Sequence, residues 1–145
     1  MAIIIITEGT IQTRQLSAVQ KRNAAVLLRK LGRLASQYAR VRKSGRITEI
    51  TALKIWRENH GLEFPSIILE CFVIDSLYGR SQNAPADNFM YLLRDIRDNI
   101  QTRRIVDPAN TNNVLSDELT FSEKTALKET AQESLAAPYW GQIIW

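Results

Sequence analysis

The stretch that decides the fold is residues 53–77, LKIWRENHGLEFPSIILECFVIDSL. It completes a helix that begins near Thr48, with apolar residues every three or four positions and an Asn-His-Gly break at 59–61. From Ile67 to Leu77 the sequence is apolar almost all round, which indicates a helix at the centre of a core. The stretch therefore predicts two antiparallel helices joined by a short connection.

Amphipathic segments continue this pattern on both sides. A long helix precedes the pair, with Ser17 as its N-cap and Ser44-Gly45 as its end. A fourth helix opens at Asp87, and Ser122 caps a fifth that runs to about Ala136. The apolar stripe of the first helix consists of Leu16, Val19, Leu27, Leu31, Leu34, Tyr38 and Val41.

Two shorter segments are not helical in pattern. Residues 3–6 are β-prone, and residues 105–114 combine Asp-Pro with three asparagines, which marks specific turns. We therefore expect an all-α fold of about five helices around one core, with a short β-prone N-terminal segment. Within this single structural domain we distinguish a basic N-terminal segment, residues 1–46, from a helical region, residues 47–145.

The composition of the 145 residues, 45% hydrophobic and 23% charged, is that of an ordinary globular protein. The longest apolar run, Ala2 to Ile6, is far shorter than the roughly 20 residues that span a bilayer, and no secretory signal is evident. Cys71 is the only cysteine, so no intramolecular disulfide can form. We expect a cytoplasmic protein that does not enter a membrane, with Cys71 as a buried packing residue.

Charge is distributed very unevenly along the chain. Residues 9–48 contain ten bases and no acid, whereas residues 49–145 contain nine bases and fourteen acids, a net charge of −5. One interpretation is a surface for nucleic acid on the first helix, with Arg29, Lys30 and Arg33 as its contacts. The other is a basic helix that docks on its own acidic neighbour and keeps its remaining charges solvated.

Classical catalytic arrangements are missing from the sequence. His60 is the only histidine, so a two-histidine metal site cannot form within one chain, and at a helix end we expect it to bond carbonyl groups. No Gly-rich phosphate loop is found. Asp95 and Asp98 are interleaved with Arg94 and Arg97, which favours surface ion pairs. We therefore predict no catalytic residue and no metal ligand.

One pair of residues points to an anion site. Lys54 lies near the middle of one helix, and Ser66 follows twelve residues later at the start of the next. An antiparallel pair can bring an ammonium group, a hydroxyl and the unpaired N–H groups of a helix start together.

These residues also carry a family resemblance. The pattern LKxW, HG and PSxxLE between residues 53 and 70, followed by DPANTNNV at 107–114 and an Ala-rich helix, resembles the helical C-terminal half of template-independent nucleotidyltransferases. The nearest branch is that of the oligoadenylate synthetases and the bacterial CD-NTase relatives of cyclic GMP–AMP synthase. The resemblance covers residues 47–145.

The resemblance implies a role for each matching residue. In the family, the residues that match Lys54 and Ser66 contact the triphosphate of a nucleotide bound between the helical half and a β-sheet catalytic domain. Glu70 would brace its helix. Asp107, Asn112 and Asn113 would form a turn near that cleft, structural first and ligand-contacting second.

The catalytic half of such an enzyme is missing from this sequence. The family joins phosphates with two Mg²⁺ ions held by an Asp-x-Asp pair beside a Gly-Ser loop, and this chain has no Gly-Ser dipeptide and no acidic pair at i, i+2. We therefore expect no activity from the chain alone and no cofactor of its own, with Mg²⁺ entering only with a catalytic partner domain.

Three functional hypotheses follow. The first is a helical domain that binds a nucleoside triphosphate weakly and needs a catalytic nucleotidyltransferase domain. The second is a stand-alone module that binds nucleic acid or an acidic partner through its basic first helix. The third is a scaffolding or regulatory protein without a ligand. Because a helical half without its packing partner would expose apolar surface, we also expect it to form a homodimer.

Overall fold

Five α-helices make up most of the part of the chain that the structure describes. They are α1 (Ala18–Ser44), α2 (Ile47–Asn59), α3 (Ser66–Ser76), α4 (Pro85–Asn99) and α5 (Phe121–Ala136). The structure is a computed structural model that describes residues 2–7, 10–15 and 17–145, with side chains from residue 17 onward. The predicted all-α fold with about five helices is confirmed. None of the described helices is both long enough and apolar enough to cross a membrane.

The chain divides into two compact units, Met1–Tyr38 and Ala39–Trp145. In the first unit, β1 (Ala2–Thr7) and β2 (Thr10–Gln15) form an antiparallel hairpin. The β-prone start is thus a strand, as predicted. The sequence pattern did not indicate β2, the strand that pairs with it. Leu16, the first residue of the predicted stripe, lies outside the described residues.

The start of α1 has the predicted cap. The Ser17 hydroxyl accepts a hydrogen bond from the Gln20 amide at 3.2 Å, and the Gln20 side-chain oxygen accepts one from the Ser17 amide at 2.9 Å. These two bonds satisfy donors that the first helical turn leaves without partners. The predicted end of this helix at Ser44 is also confirmed.

The apolar stripe of α1 is not a core face in the first unit. Leu27, Leu31 and Leu34 are 56%, 51% and 67% exposed. Only Val41, which belongs to the second unit, packs against that unit's core. The spacing therefore predicted the helix correctly but did not show that its apolar face is solvent-accessible.

The second unit holds the core, with α3 at its centre. The buried residues of α3 are Ile68, Leu69, Cys71, Phe72 and Val73, which confirms the predicted core helix. Helix α2 packs against α3 and α4, and α4 packs against α5.

Residues 105–114 form a small hairpin and not only turns. β3 (Val106–Asp107) pairs in antiparallel with β4 (Asn110–Val114). The Asp107 carboxylate accepts a hydrogen bond from the Ala109 amide at 2.8 Å, which closes the turn between the strands. The turn predicted from the Asp-Pro pair is thus confirmed at Asp107.

The cap of α5 differs from the prediction. Thr120, and not Ser122, is its N-cap: the Thr120 hydroxyl accepts from the Glu123 amide at 3.1 Å, and the Glu123 carboxylate accepts from the Thr120 amide at 2.8 Å. Glu123 stands three residues after Thr120, the spacing that a reciprocal capping box requires. Ser122 has no glutamate at that spacing.

Candidate functional site

Lys54 and Ser66 each contact a residue of the opposite helix in the α2–α3 pair. The Lys54 Nζ atom lies 3.5 Å from the Glu70 Oε1 atom, and the Arg57 Nη1 atom donates to the Ser66 hydroxyl at 3.1 Å. Lys54 and Arg57 are three residues apart on α2, and Ser66 and Glu70 are four residues apart on α3, so each pair shares a helix face. The four side chains form a polar cluster along the α2–α3 seam, which we call the α2–α3 cluster.

Arg57 is the member of this cluster that the sequence pattern did not indicate. Its Nη1 atom also donates to the Phe64 carbonyl at 2.8 Å, and its Nη2 atom lies 3.0 Å from Glu58. The side chain is only 15% exposed, so these bonds hold it against the α2–α3 connection. The available signal was its position three residues after Lys54, on the same face of the helix.

The N-terminus of α3 adds partial positive charge to the α2–α3 cluster. The first main-chain bond of the helix runs from the Leu69 amide to the Pro65 carbonyl, and no side chain caps the N-terminus. The amides of the first turn thus have no partner within the helix. No acidic residue lies in this first turn, so the partial positive charge of the helix end adds to the charges of Lys54 and Arg57.

The predicted cleft turn lies in the β3–β4 hairpin. Asp107 is buried and uses its carboxylate on the Ala109 amide, Asn112 is exposed, and Asn113 is half-buried. Within residues 17–145, no hydrogen bond or ion pair joins these three residues to Lys54 or Ser66. The described hydrogen bond of Asp107 lies within the β3–β4 hairpin itself.

The predicted nucleic-acid residues lie in a different unit from the α2–α3 cluster. Arg29, Lys30 and Arg33 are exposed residues of α1 within Met1–Tyr38. Exposure of this kind fits both interpretations of the basic helix.

His60 bonds a carbonyl, but not one of its own helix. Its Nε2 atom donates to the Ile143 carbonyl at 3.0 Å, and its ring lies between Trp56 and Trp145, with centroids 5.6 and 5.1 Å away. The C-terminal segment is thereby attached to the end of α2, where the Asn59 side chain also accepts from the Trp145 amide.

Cys71 is buried, as predicted. Burial raises the pKa of its thiol to about 11, and the nearby Asp75 carboxylate adds to the rise. Because the thiolate is the reactive form, Cys71 is a packing residue and not a nucleophile at neutral pH.

The prediction of a surface ion pair was wrong for Asp95. Its carboxylate is buried and accepts from Arg103 at 2.7 Å, from Ser76 at 2.6 Å and from Asn99 at 2.6 Å. Arg103 comes from beyond the end of α4, which local spacing could not reveal. Asp98, by contrast, forms the expected exposed pair with Arg97 at 2.8 Å.

The described residues contain no candidate metal site. No three side chains of His, Cys, Asp or Glu type come together there in a way that could hold a metal ion. Searches against protein-family models, curated proteins and solved structures find no match to this chain.

Proposed function

We propose that residues 39–145 bind a nucleoside triphosphate weakly through the α2–α3 cluster, and that the chain alone does not catalyse phosphoryl transfer. The observation that supports this is the pair of contacts, Lys54 to Glu70 and Arg57 to Ser66, which places an ammonium group and a hydroxyl along one seam. The family resemblance supplies the class of ligand.

Each group has a definite task in this proposal. The Lys54 ammonium and the Ser66 hydroxyl donate to phosphate oxygens, and the first-turn amides of α3 add partial positive charge. Arg57 positions the Ser66 hydroxyl through their hydrogen bond. Glu70 holds Lys54 in the absence of nucleotide, so the phosphate must compete with this carboxylate.

The energies indicate weak binding. A charge-assisted hydrogen bond contributes about 1.5–3 kcal/mol, and two or three of them must offset the entropy lost on association. The remainder corresponds to a dissociation constant near the millimolar range.

Magnesium ions would enter with a catalytic partner domain and not through this chain. The described residues contain no cluster of three metal-ligating side chains, and the sequence has no Asp-x-Asp pair. The residues of this chain therefore do not fit the two-metal site of the family.

Replacement of Lys54 by alanine should weaken ATP binding at least about tenfold, because one charge-assisted contact is lost. Ser66→Ala should weaken it less, because the hydroxyl is neutral. The measurement is an NMR titration of the full chain with ATP, with Lys124→Ala as the control, since that half-buried lysine of α5 lies outside the cluster. Equal ATP binding by the Lys54 and Lys124 variants would exclude the α2–α3 cluster as the nucleotide site.

We propose further that the exposed stripe of α1 joins two copies of the chain. Leu31 and Leu34 are more than half exposed, and apolar surface of this kind favours association. The same helix carries bases and no acid, so two such helices repel each other electrostatically and added salt should relieve the repulsion.

Light scattering at rising NaCl concentration should therefore show a growing dimer fraction. The double variant Leu31→Ser, Leu34→Ser should remain monomeric under the same conditions. Phe121→Ser is the matched control, because Phe121 is 76% exposed but belongs to α5. A wild-type chain that stays monomeric at high protein and salt concentration would contradict the proposal.

A further inference from the structure

A basic pocket lies at the opposite end of α3 from Ser66. It has a volume of about 450 Å³, and its lining includes Lys43, Arg46, Tyr78, Arg80 and Gln82. All of its charged lining residues are basic. The α2–α3 cluster contributes no residue to it, so it is a separate feature of the second unit.

Arg46, one of the lining residues, bonds the carbonyl groups of the chain that follows α3. Its guanidinium donates to the carbonyls of Leu77 at 2.6 Å, Arg80 at 2.5 Å and Ser81 at 3.1 Å, and it pairs with the Glu49 carboxylate at 3.3 Å. The negative end of the α3 dipole is thereby satisfied. None of these bonds uses the side chain of Lys43 or Arg80, the two other cations of the lining.

Arg80 is held in place without an acidic partner. Its Nε atom donates to the Asn88 side-chain oxygen at 3.1 Å, and its guanidinium lies 4.0 Å from the centre of the Tyr91 ring. Among the described residues neither Arg80 nor Lys43 forms an ion pair. Neither of these two cations of the pocket is thus paired with a carboxylate of the described residues, and Arg80 is held in a fixed position by Asn88 and Tyr91.

Tyr78 presents an open aromatic face at the rim. It is 89% exposed, the highest value among the large apolar and aromatic side chains that the structure describes. Gly79 follows it with φ of +80°, a conformation that turns the chain sharply away and that glycine adopts most easily. The ring is therefore accessible to a flat ligand at the pocket.

We propose that this pocket binds single-stranded nucleic acid, with one base stacked on Tyr78 and the adjacent phosphates contacting Lys43 and Arg80. An exposed aromatic ring beside cations that carry no acidic partner is the arrangement that binds such strands without sequence preference. This site does not depend on the proposed nucleotide site.

The test is fluorescence anisotropy of the full chain with labelled oligo-dT and oligo-U of twenty nucleotides, at two salt concentrations. Tyr78→Ala should weaken binding about fivefold to tenfold, whereas Tyr78→Phe should retain it. Tyr139→Ala is the matched control, because Tyr139 is also highly exposed, at 71%, but lies outside the pocket. Lys43→Glu should weaken binding more than Lys124→Glu and should reduce the salt dependence by the equivalent of about one phosphate contact.

Three outcomes would overturn the proposal. The wild-type chain could fail to bind either oligonucleotide. Binding could be lost on charge reversal of Arg29, Lys30 and Arg33 yet be unaffected by Tyr78→Ala, which would place the interface on α1. Binding could respond to Lys43→Glu but not to Tyr78→Ala, which would make the pocket an anion site without base stacking. Stronger binding of oligo-U would identify RNA as the ligand, and stronger binding of oligo-dT would identify DNA. Lys54→Ala should bind the oligonucleotides as the wild-type chain does, even if it no longer binds ATP, because Lys54 lies outside this pocket.

Discussion

Replacement of Arg46 by alanine should lower the free energy of unfolding of the second unit by about 3–5 kcal/mol. The side chain is buried and pairs with the buried carboxylate of Glu49. Its loss leaves Glu49 as an uncompensated charge in the interior, which is the costly way to break a buried ion pair. It also leaves the carbonyls of Leu77, Arg80 and Ser81 without this donor.

Urea unfolding followed by tryptophan fluorescence measures this effect. All three tryptophans lie within residues 39–145, so the signal reports on the second unit. Arg97→Ala is the matched control, because the Arg97 pair with Asp98 is exposed and screened by solvent, so its loss should change the stability much less. The double variant Arg46→Ala, Glu49→Ala should recover part of the loss, since it removes the buried carboxylate. A loss for Arg46→Ala no larger than that for Arg97→Ala would mean that the buried pair is not formed in solution.

Replacement of Trp56 by alanine should cost about 3–5 kcal/mol of stability as well, for a different reason. Trp56 is fully buried in the core, so the substitution leaves a large cavity between α2 and its neighbours. Its indole N–H also donates to the Ser134 hydroxyl at 3.0 Å, a bond that joins α2 to α5. The loss should be seen in thermal and urea unfolding followed by circular dichroism, which does not depend on the tryptophan signal.

Ser134→Ala tests the hydrogen bond of Trp56, and Trp140→Ala is the control for its burial. Ser134→Ala should cost about 1–3 kcal/mol, because it leaves the buried indole N–H without an acceptor. Trp140→Ala should cost about 1 kcal/mol or less, because Trp140 is half exposed. If Trp56→Ala were as mild as Trp140→Ala, the packing of α2 described above would be wrong.

The helices and the core could be predicted from the sequence because their signals are local. The apolar spacing before residue 59 and the all-round apolar run from Ile67 to Leu77 gave α2 and α3 within one or two residues. Burial of Cys71 followed from its place in that run. Lys54 and Ser66 could be selected as candidates because their types and their positions on adjoining helices are also local facts.

The partners of the polar side chains could not be predicted in this way. Arg46 was one base among ten in the basic stretch, and only the fold shows that its acceptors lie 31 to 35 residues away at the end of α3. Arg57 became part of the candidate site only when the α2–α3 connection brought it to Ser66. The local pattern predicted a surface position for Asp95, and only the fold shows its ion pair with Arg103, which lies eight residues later in the chain.

The sequence by itself determined where helices form, because helix periodicity and end signals act over a few residues along the chain. The tertiary structure alone decided which apolar stripe is covered and which charge is paired. The stripe of α1 and the core faces of α2 and α4 have similar spacing, yet Leu34 is exposed and Leu53 and Leu92 are buried. The physical reason is that burial and ion pairing depend on which distant segments meet in space, and a periodic pattern carries no information about that.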